Sequence, residues 1–427
     1  MDLSNKNILI IGYGVSGQGA EFAIKMLGGS VYILDESKQK TMLTKKFVCQ
    51  FDLVIVSPSV PICHTIYDIA SSLSVEVISE VELGARLFNG TVVGITGTNG
   101  KTTVTQLMGA MLENAGLKTS VCGNVGNSFA KCASEDKSDF AALELSSFQL
   151  EQMGSSLKPK IAMFLNLSPD HLDRHGNMDS YAKAKKNIAK NQDKNDYLIL
   201  SSDDIPLEYL DNFTPKSKVF YVSLNKKVDG AYLLGETLYF DNDPIITVSD
   251  IRIRGRHNIA NSLFCIAGAK LLGIASDIIV KTLKEFSPDS HRINLYKTVK
   301  GKKFYNDSKG TNIGACLAAC NSMIGNTALI LGGKDKGYEF IELFNKLPKA
   351  VTHIFAVGEA AQKIYDAAVE CYFNSIQITT LENAVKASLA LAVENVLLSP
   401  ACASFDQFSD YKERGKYFES LVELLDK

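Results

Sequence analysis

The stretch Gly97-Thr98-Asn99-Gly100-Lys101-Thr102-Thr103 lies between an apolar run, residues 91–95, and a helical pattern, residues 102–114. A strand that turns through glycines directly into a helix leaves the first helical N–H groups unpaired and aimed at the turn. Such a loop cradles phosphates. Its backbone N–H groups and the helix dipole attract the anion, a lysine neutralises β/γ charge, and the hydroxyl after it can hold Mg²⁺. The strict phosphate-loop pattern wants glycine where Ile95 stands, and this chain has Gly94 and Gly97 instead. The segment is therefore a relative of that loop, and it requires a βα unit with a parallel sheet around it.

The same rhythm of short apolar runs and helical patterns recurs along all 427 residues, a length that suits two to four domains at about 100–200 residues each. Runs at 7–12, 30–35, 51–57 and 75–78 form a first small parallel sheet. Runs at 91–95, 139–144 and 161–166, with helical patterns at 102–114 and 178–190, belong to a second unit. Residues 205–254 alternate in short segments, such as 237–240 and 245–248, and read as short strands added to that core. Runs at 327–331, 353–357 and 395–399 give a third doubly wound sheet. The expected fold is α/β, with three consecutive domains at 1–89, 90–287 and 288–427, each a mainly parallel sheet with flanking helices.

Hydrophobic residues make up 46% and charged residues 22%, so each domain has enough apolar side chains for a core. A net charge of −2 leaves no basic footprint for nucleic acid or for a membrane surface. No apolar run reaches membrane-spanning length, and the N-terminus lacks a basic, then long apolar, leader. The nine cysteines include no CxxC pair and read as reduced thiols. These features point to a cytoplasmic protein.

The N-terminal run ends in Gly12-Tyr13-Gly14-Val15-Ser16-Gly17, a GxGxxG match, and Asp35 closes the next run where a dinucleotide fold places its ribose-binding acid. Alone, the match fits NAD, an unliganded tight turn, or another diphosphate such as a UDP-sugar. A domain of about 89 residues is short for a two-halved dinucleotide fold and favours a mononucleotide diphosphate.

Glu144 ends an apolar run in the phosphate-loop domain, where such proteins place a metal-binding carboxylate. Ser168-Pro169-Asp170-His171-Leu172-Asp173-Arg174-His175 follows the next run and offers two imidazoles and two carboxylates. Tyr181-Ala182-Lys183-Ala184-Lys185-Lys186 comes after it, and composition alone makes it a solvated basic helix face. Further polar turns follow: Gly255–Asn261, Asp289–Arg292, Asn306–Asn312, Gly332–Gly337 and Ser399–Asp406. Turns after parallel strands are where α/β proteins bind ligands.

Taken together, GTNGKTT after a strand, LELSSFQLE at 143–151, NDSKGTN at 306–312 and LSPACASFDQFSDYKERG at 398–415 resemble the Mur ligase family over essentially the whole chain. The resemblance is strongest to its D-glutamate-adding branch, because the DNPR-like motif of the diaminopimelate- or lysine-adding branches is missing. It implies an ATP-dependent amide ligase that joins D-glutamate to UDP-N-acetylmuramoyl-L-alanine, with small-molecule partners only and a monomeric chain.

The resemblance also implies roles. Gly14, Val15, Ser16 and Asp35 hold the UDP part, and Asn124 and Ser147 touch the muramoyl-alanine end. Gly97, Thr98, Asn99, Gly100, Lys101, Thr102 and Thr103 bind the ATP phosphates. Thr102 and Glu144 hold one Mg²⁺, and His171 and a carbamylated Lys185 hold a second. Asn258 and Asn261 face adenine, and Arg292 and Asp307 reach the nucleotide from the third domain. Lys309, Thr311, Lys336, Ser404 and Tyr411 surround D-glutamate, with Lys334 as an alternative to Lys336. Ser59 and Ser37 depart from the family pattern near the uracil side. Lys101, Glu144, His171 and Lys185 form the expected catalytic set.

A carboxylate attacking the γ-phosphate needs charge neutralisation rather than a nucleophilic side chain, which suits this set. Ligands drawn from three domains imply closure around the substrates. Three rivals are a folate polyglutamylating ligase, which the N-terminal GxGxxG domain disfavours, an NAD-dependent dehydrogenase, and a non-catalytic nucleotide-binding regulator, which the joint presence of Lys101, Glu144, His171 and Lys185 disfavours.

Overall fold

The computed structural model describes residues 1–35, 43–135, 137–287 and 294–425, without the side chain at position 294. Ser37 and Arg292, and the boundary expected at 287/288, fall on or beside residues outside that set.

Three sheets carry the chain. The first contains β1 (Asn7–Ile11), β2 (Ser30–Leu34), β3 (Leu53–Val56) and β4 (Glu76–Ser79), ordered β2-β1-β3-β4 and parallel throughout. β1 and β3 read as unbroken apolar runs because both faces are covered. Ile8 and Ile10 pack with Ala20 and Ile24 on one side, and Leu9 and Ile11 with Val54 and Ile66 on the other.

The second sheet has nine strands: β5 (Thr91–Thr96), β6 (Thr119–Gly123), β7 (Phe140–Glu144), β8 (Ile161–Phe164), β9 (Tyr197–Ser201), β10 (Lys218–Ser223), β11 (Gly230–Leu234), β12 (Thr237–Phe240) and β13 (Asp243–Thr247). Their order is β13-β12-β11-β10-β9-β8-β5-β7-β6. Pairing is parallel from β6 to β11 and antiparallel over the last two steps. The alternating segments of 205–254 thus extend the same sheet.

The third sheet is β14 (Asn294–Val299), β15 (Lys302–Asn306), β16 (Thr327–Gly332), β17 (Val351–Val357), β18 (Ile376–Ile378) and β19 (Asn395–Leu398), ordered β14-β15-β19-β16-β17-β18. Only its edge strand β14 runs antiparallel.

These sheets fall into two compact units. One comprises Met1–Pro169, His175–Arg252 and Asn258–Phe286; the other comprises Asp170–Arg174, Ile253–His257 and Ser287–Lys427. The first two sheets share a unit because the helix Glu80–Leu87 serves both cores. Its Leu83 joins the first-sheet core with Ala130, and its Val81 joins the second-sheet core with Phe129. At its start the buried Glu80 carboxylate accepts the Ala130 N–H at 2.7 Å. Burial pushes the Glu80 carboxyl up to about 7 despite that bond.

Candidate active site

The phosphate loop leaves β5 and enters the helix Lys101–Asn114, capped by Gly100 at φ 84°. A side chain at Gly100 would meet Asn261 Oδ1 at 2.4 Å, and that position needs a left-handed backbone as well. Asn261 therefore lies against the loop, and its Nδ2 donates to Asn258 Oδ1 at 3.1 Å. Both residues assigned to adenine come together at this point.

Asn166, which the sequence shows only as a polar residue ending an apolar run, shapes the loop. Its Oδ1 accepts the N–H groups of Thr98 (3.1 Å) and Asn99 (2.8 Å), and its Nδ2 donates to Asn99 O at 3.0 Å. The Lys101 ammonium folds over the loop and donates to Gly97 O (3.0 Å) and Thr98 O (2.8 Å). Thr102 and Thr103 are buried at the helix start.

Beside the loop, β7 pairs with β5 so that Glu144 registers with Ile95. Glu144 is 2% exposed. Its Oε1 accepts from Asn124 Nδ2 at 2.8 Å, while its Oε2 is buried without a hydrogen-bond partner. An orphaned buried carboxylate oxygen calls for an explanation, and an ion is one. Among the described residues no group of three His, Cys, Asp or Glu could hold a metal. The expected Mg²⁺ donors here are one carboxylate, Glu144, and one hydroxyl, Thr102. That sparse set suits Mg²⁺, which keeps waters and takes substrate phosphates.

Lys185 does not lie on a solvated face, as composition alone suggests. The helix Met178–Lys186 buries it to 1% exposure. Its Nζ donates to Gly97 O at 2.7 Å and lies 4.5 Å from the centre of the Tyr181 ring. Tyr181 Oη in turn meets Thr98 Oγ1 at 3.2 Å. The helical register explains the contact, since residues four apart share a face. The helix ends earlier than the expected 190, in a 3₁₀ turn at Asn187–Ala189. His171 belongs to the second unit, in a left-handed conformation at φ 53°, with Nε2 3.6 Å from Asp170 Oδ2. Lys185 belongs to the first unit.

At the first sheet a cleft of about 410 Å³ is lined by Ile11, Gly12, Tyr13, Gly14, Asp35, Ser59, Val60 and Pro61. Gly14 and Asp35 meet there, and so does the departing residue Ser59. Val15, 64% exposed, and Ser16 start the helix Val15–Met26 next to it without lining it. Asn124 and Ser147 are elsewhere in the same unit, on either side of Glu144 in the chain.

Residues 95–269 match the model of the Mur ligase middle domain. The chain is 37% identical to the UDP-N-acetylmuramoylalanine–D-glutamate ligases of Caldanaerobacter subterraneus subsp. tengcongensis and of Bacillus cereus, over 99% of each chain. The chain belongs to the Mur ligase family, in the D-glutamate ligase branch. Solved Mur ligases share the fold. The UDP-N-acetylmuramate–alanine ligase MurC of Thermotoga maritima superposes with a TM-score of 0.66 at 16% identity, over 98% of this chain and all of that one. MurF from Thermotoga maritima in complex with ADP gives 0.63 at 16%, over 99% and 96%.

In this Mur ligase the third sheet presents its polar turns from strand ends. Lys336 Nζ donates to Thr311 O at 3.2 Å and lies 3.5 Å from Asp170 Oδ1, with its side chain 17% exposed, whereas Lys334 is half exposed and paired with Glu359 at 2.7 Å. Geometry thus favours Lys336 over Lys334 as the inward-facing cation. Lys309 lies over the Tyr411 ring at 5.4 Å. Asp307 accepts from Ser399 Oγ at 2.7 Å, and Ser404 is buried.

Two organisers of this region have no individual role assigned from the sequence, although Asp170 stands in the 168–175 cluster. Buried Arg414 donates to Ser308 Oγ and O, Cys402 O and Ala403 O, tying two of the turns together. Burial lowers its guanidinium to about 10. Asp170 accepts from Tyr338 Oη at 2.8 Å and Asn312 Nδ2 at 3.2 Å. No described helix is long and apolar enough to cross a membrane.

Proposed function

We infer that this chain joins D-glutamate to UDP-N-acetylmuramoyl-L-alanine with cleavage of ATP to ADP and phosphate, as a monomer in the cytoplasm, during assembly of a peptidoglycan precursor. The observation that carries the reading is the orphaned Glu144 carboxylate oxygen beside the phosphate loop. The substrate carboxylate attacks the γ-phosphate of ATP and gives an acyl phosphate and ADP. The D-glutamate amine then attacks the acyl carbon, and phosphate leaves.

The loop N–H groups and Lys101 hold the phosphate charge, and Asn258 and Asn261 flank the base. Asp307 belongs to the nucleotide contacts, and Arg292, outside the described residues, completes them in this reading. Thr102 and Glu144, and at a second position His171 and a carbamylated Lys185, would hold Mg²⁺, which would supply charge neutralisation to the phosphate oxygens. Thr311, Lys309, Lys336, Ser404 and Tyr411 bind D-glutamate. Gly14, Val15, Ser16 and Asp35 take the UDP group.

The test is phosphate release with UDP-N-acetylmuramoyl-L-alanine, ATP and a panel of amino acids. D-glutamate should support turnover, and L-glutamate and D-aspartate should not. Lys336→Ala should raise the D-glutamate KM at least tenfold and leave the ATP KM within about twofold. Release indifferent to the UDP-sugar acid would overturn the reading.

A further inference from the structure

His175 is buried, with its side chain only 1% exposed, and nothing in the mechanism above uses it. It lies four residues beyond His171, at the end of the short turn Leu172–His175. Phe148 and Tyr181 pack against the imidazole, with ring centroids at 5.5 and 5.2 Å and planes tilted by 42° and 44°. The two ring nitrogens have defined neighbours. Nε2 lies 3.0 Å from Ser147 Oγ, itself buried. Nδ1 lies 3.9 Å from a Glu151 carboxylate oxygen. That distance is too long for a direct hydrogen bond. The carboxylate still favours the proton on Nδ1 and leaves Nε2 as an acceptor. The Ser147 hydroxyl then donates to the imidazole, and its lone pairs are directed away from the ring. Packing alone does not explain the choice of residue, because a phenylalanine would fill the same space without a polar atom to satisfy.

We propose that His175 is a positioning residue that orients the Ser147 hydroxyl as a hydrogen-bond acceptor for an N–H donor of the muramoyl-alanine end of the substrate. The proposal rests on the assignment of Ser147 to that end. His175 touches no reacting atom. It acts through one hydroxyl, so its loss should weaken binding of one substrate and leave phosphoryl transfer at saturation intact.

The experiment measures kcat and both KM values for Ser147→Ala, His175→Leu, His175→Gln and the Ser147→Ala/His175→Leu double variant, with melting temperatures. Ser147→Ala and His175→Leu should each raise the KM for UDP-N-acetylmuramoyl-L-alanine about tenfold, with kcat and the ATP KM within about twofold. The glutamine amide reaches the Nε2 position, so His175→Gln should restore the KM to within about twofold. The double variant should match Ser147→Ala, because nothing remains for His175 to orient.

Multiplied effects in the double variant, or an unchanged KM in His175→Leu beside a raised one in Ser147→Ala, would overturn the positioning role. An unchanged KM in Ser147→Ala would instead overturn the Ser147 assignment, and the proposal with it. If His175→Leu does not fold, His175→Asn takes its place. That shorter amide keeps polarity at the site but falls short of Ser147, and it should raise the same KM.

Discussion

The first unit contains two strand–glycine–helix turns, and they are built on opposite principles. At Gly97–Thr103 the loop is crowded with side-chain chemistry: Lys101 and Lys185 both donate to Gly97 O, and Asn166 bonds three of its backbone groups. At Gly12–Gly17 no cationic side chain is seen to bond the loop among the described residues, and the approach at Gly14 is bare backbone. Nothing lies within 4 Å of where a Gly14 side chain would begin, and the helix cap has no side-chain bond. Ser57 Oγ donates to Gly12 O at 2.7 Å at the start of the loop, and Tyr13 Oη donates to Glu21 of its own helix. A loop that must stabilise charge moving during reaction gathers cations. A loop that, in the proposed function, only has to hold a diphosphate offers N–H groups and room.

The largest effect should come from Lys101→Ala. Turnover should fall by at least about 10³-fold, with UDP-substrate binding by calorimetry within about twofold of wild type. Near-normal phosphate release from the folded variant would erase the distinction between the two loops. Lys185→Ala should lose most activity, roughly 10²-fold, and small carboxylic acids should restore part of it by supplying the oxygen donor that a carbamate provides. Full activity would refute the carbamate. Loss without rescue would leave a structural lysine.

On the other loop, Gly17→Ala places a methyl 2.2 Å from Gly12 O, so the backbone must shift. The expected result is a UDP-substrate KM raised about tenfold at a kcat within threefold. A fall in kcat at saturating substrate would show that this loop also serves the chemical step.

The smallest effect on turnover belongs to Glu80→Gln, behind the helix that follows the bare loop. The folded-state carboxyl is raised from 4.5 to about 7 by burial. Between those values the folded protein keeps a proton that the unfolded chain has released. The stabilisation is therefore complete below pH 4.5 and is lost as pH rises towards 7, by about 3 kcal/mol in all. Urea denaturation across that window should show this slope in wild type and a flatter line in Glu80→Gln. Equal slopes would mean that Glu80 is not its source.

The contrast between the loops also explains what could be read in advance. The three mainly parallel sheets follow from unbroken apolar runs, and the D-glutamate ligase branch from the motifs at 143–151 and 398–415. Glycine, lysine and threonine in series announce a phosphate loop because the chemistry resides in the side chains. The bare loop left NAD, a UDP-sugar and no ligand open, because backbone N–H groups are the same in every sequence. The partners of Asn166, Arg414 and His175 escaped for another reason, although His175 stands in the 168–175 cluster. Each of the three residues acts through partners distant in sequence, such as Thr98, Ser308 and Ser147, and a single polar residue in a turn does not indicate which backbone it will meet. Lys185 was separable from Lys183 and Lys186 only by helical register against Tyr181.

Strand order also sets a sequence of events during synthesis. β1 to β4 pair only among themselves, so the first sheet has all its strands once residue 79 has emerged. β5 has to wait, because its two neighbours, β7 and β8, are made later. At about 5–20 residues per second that delay lasts several seconds, with both edges of β5 unpaired. Asn166 arrives later still. A nascent chain halted just before it holds every residue of the phosphate loop but lacks the amide that gives the loop its shape.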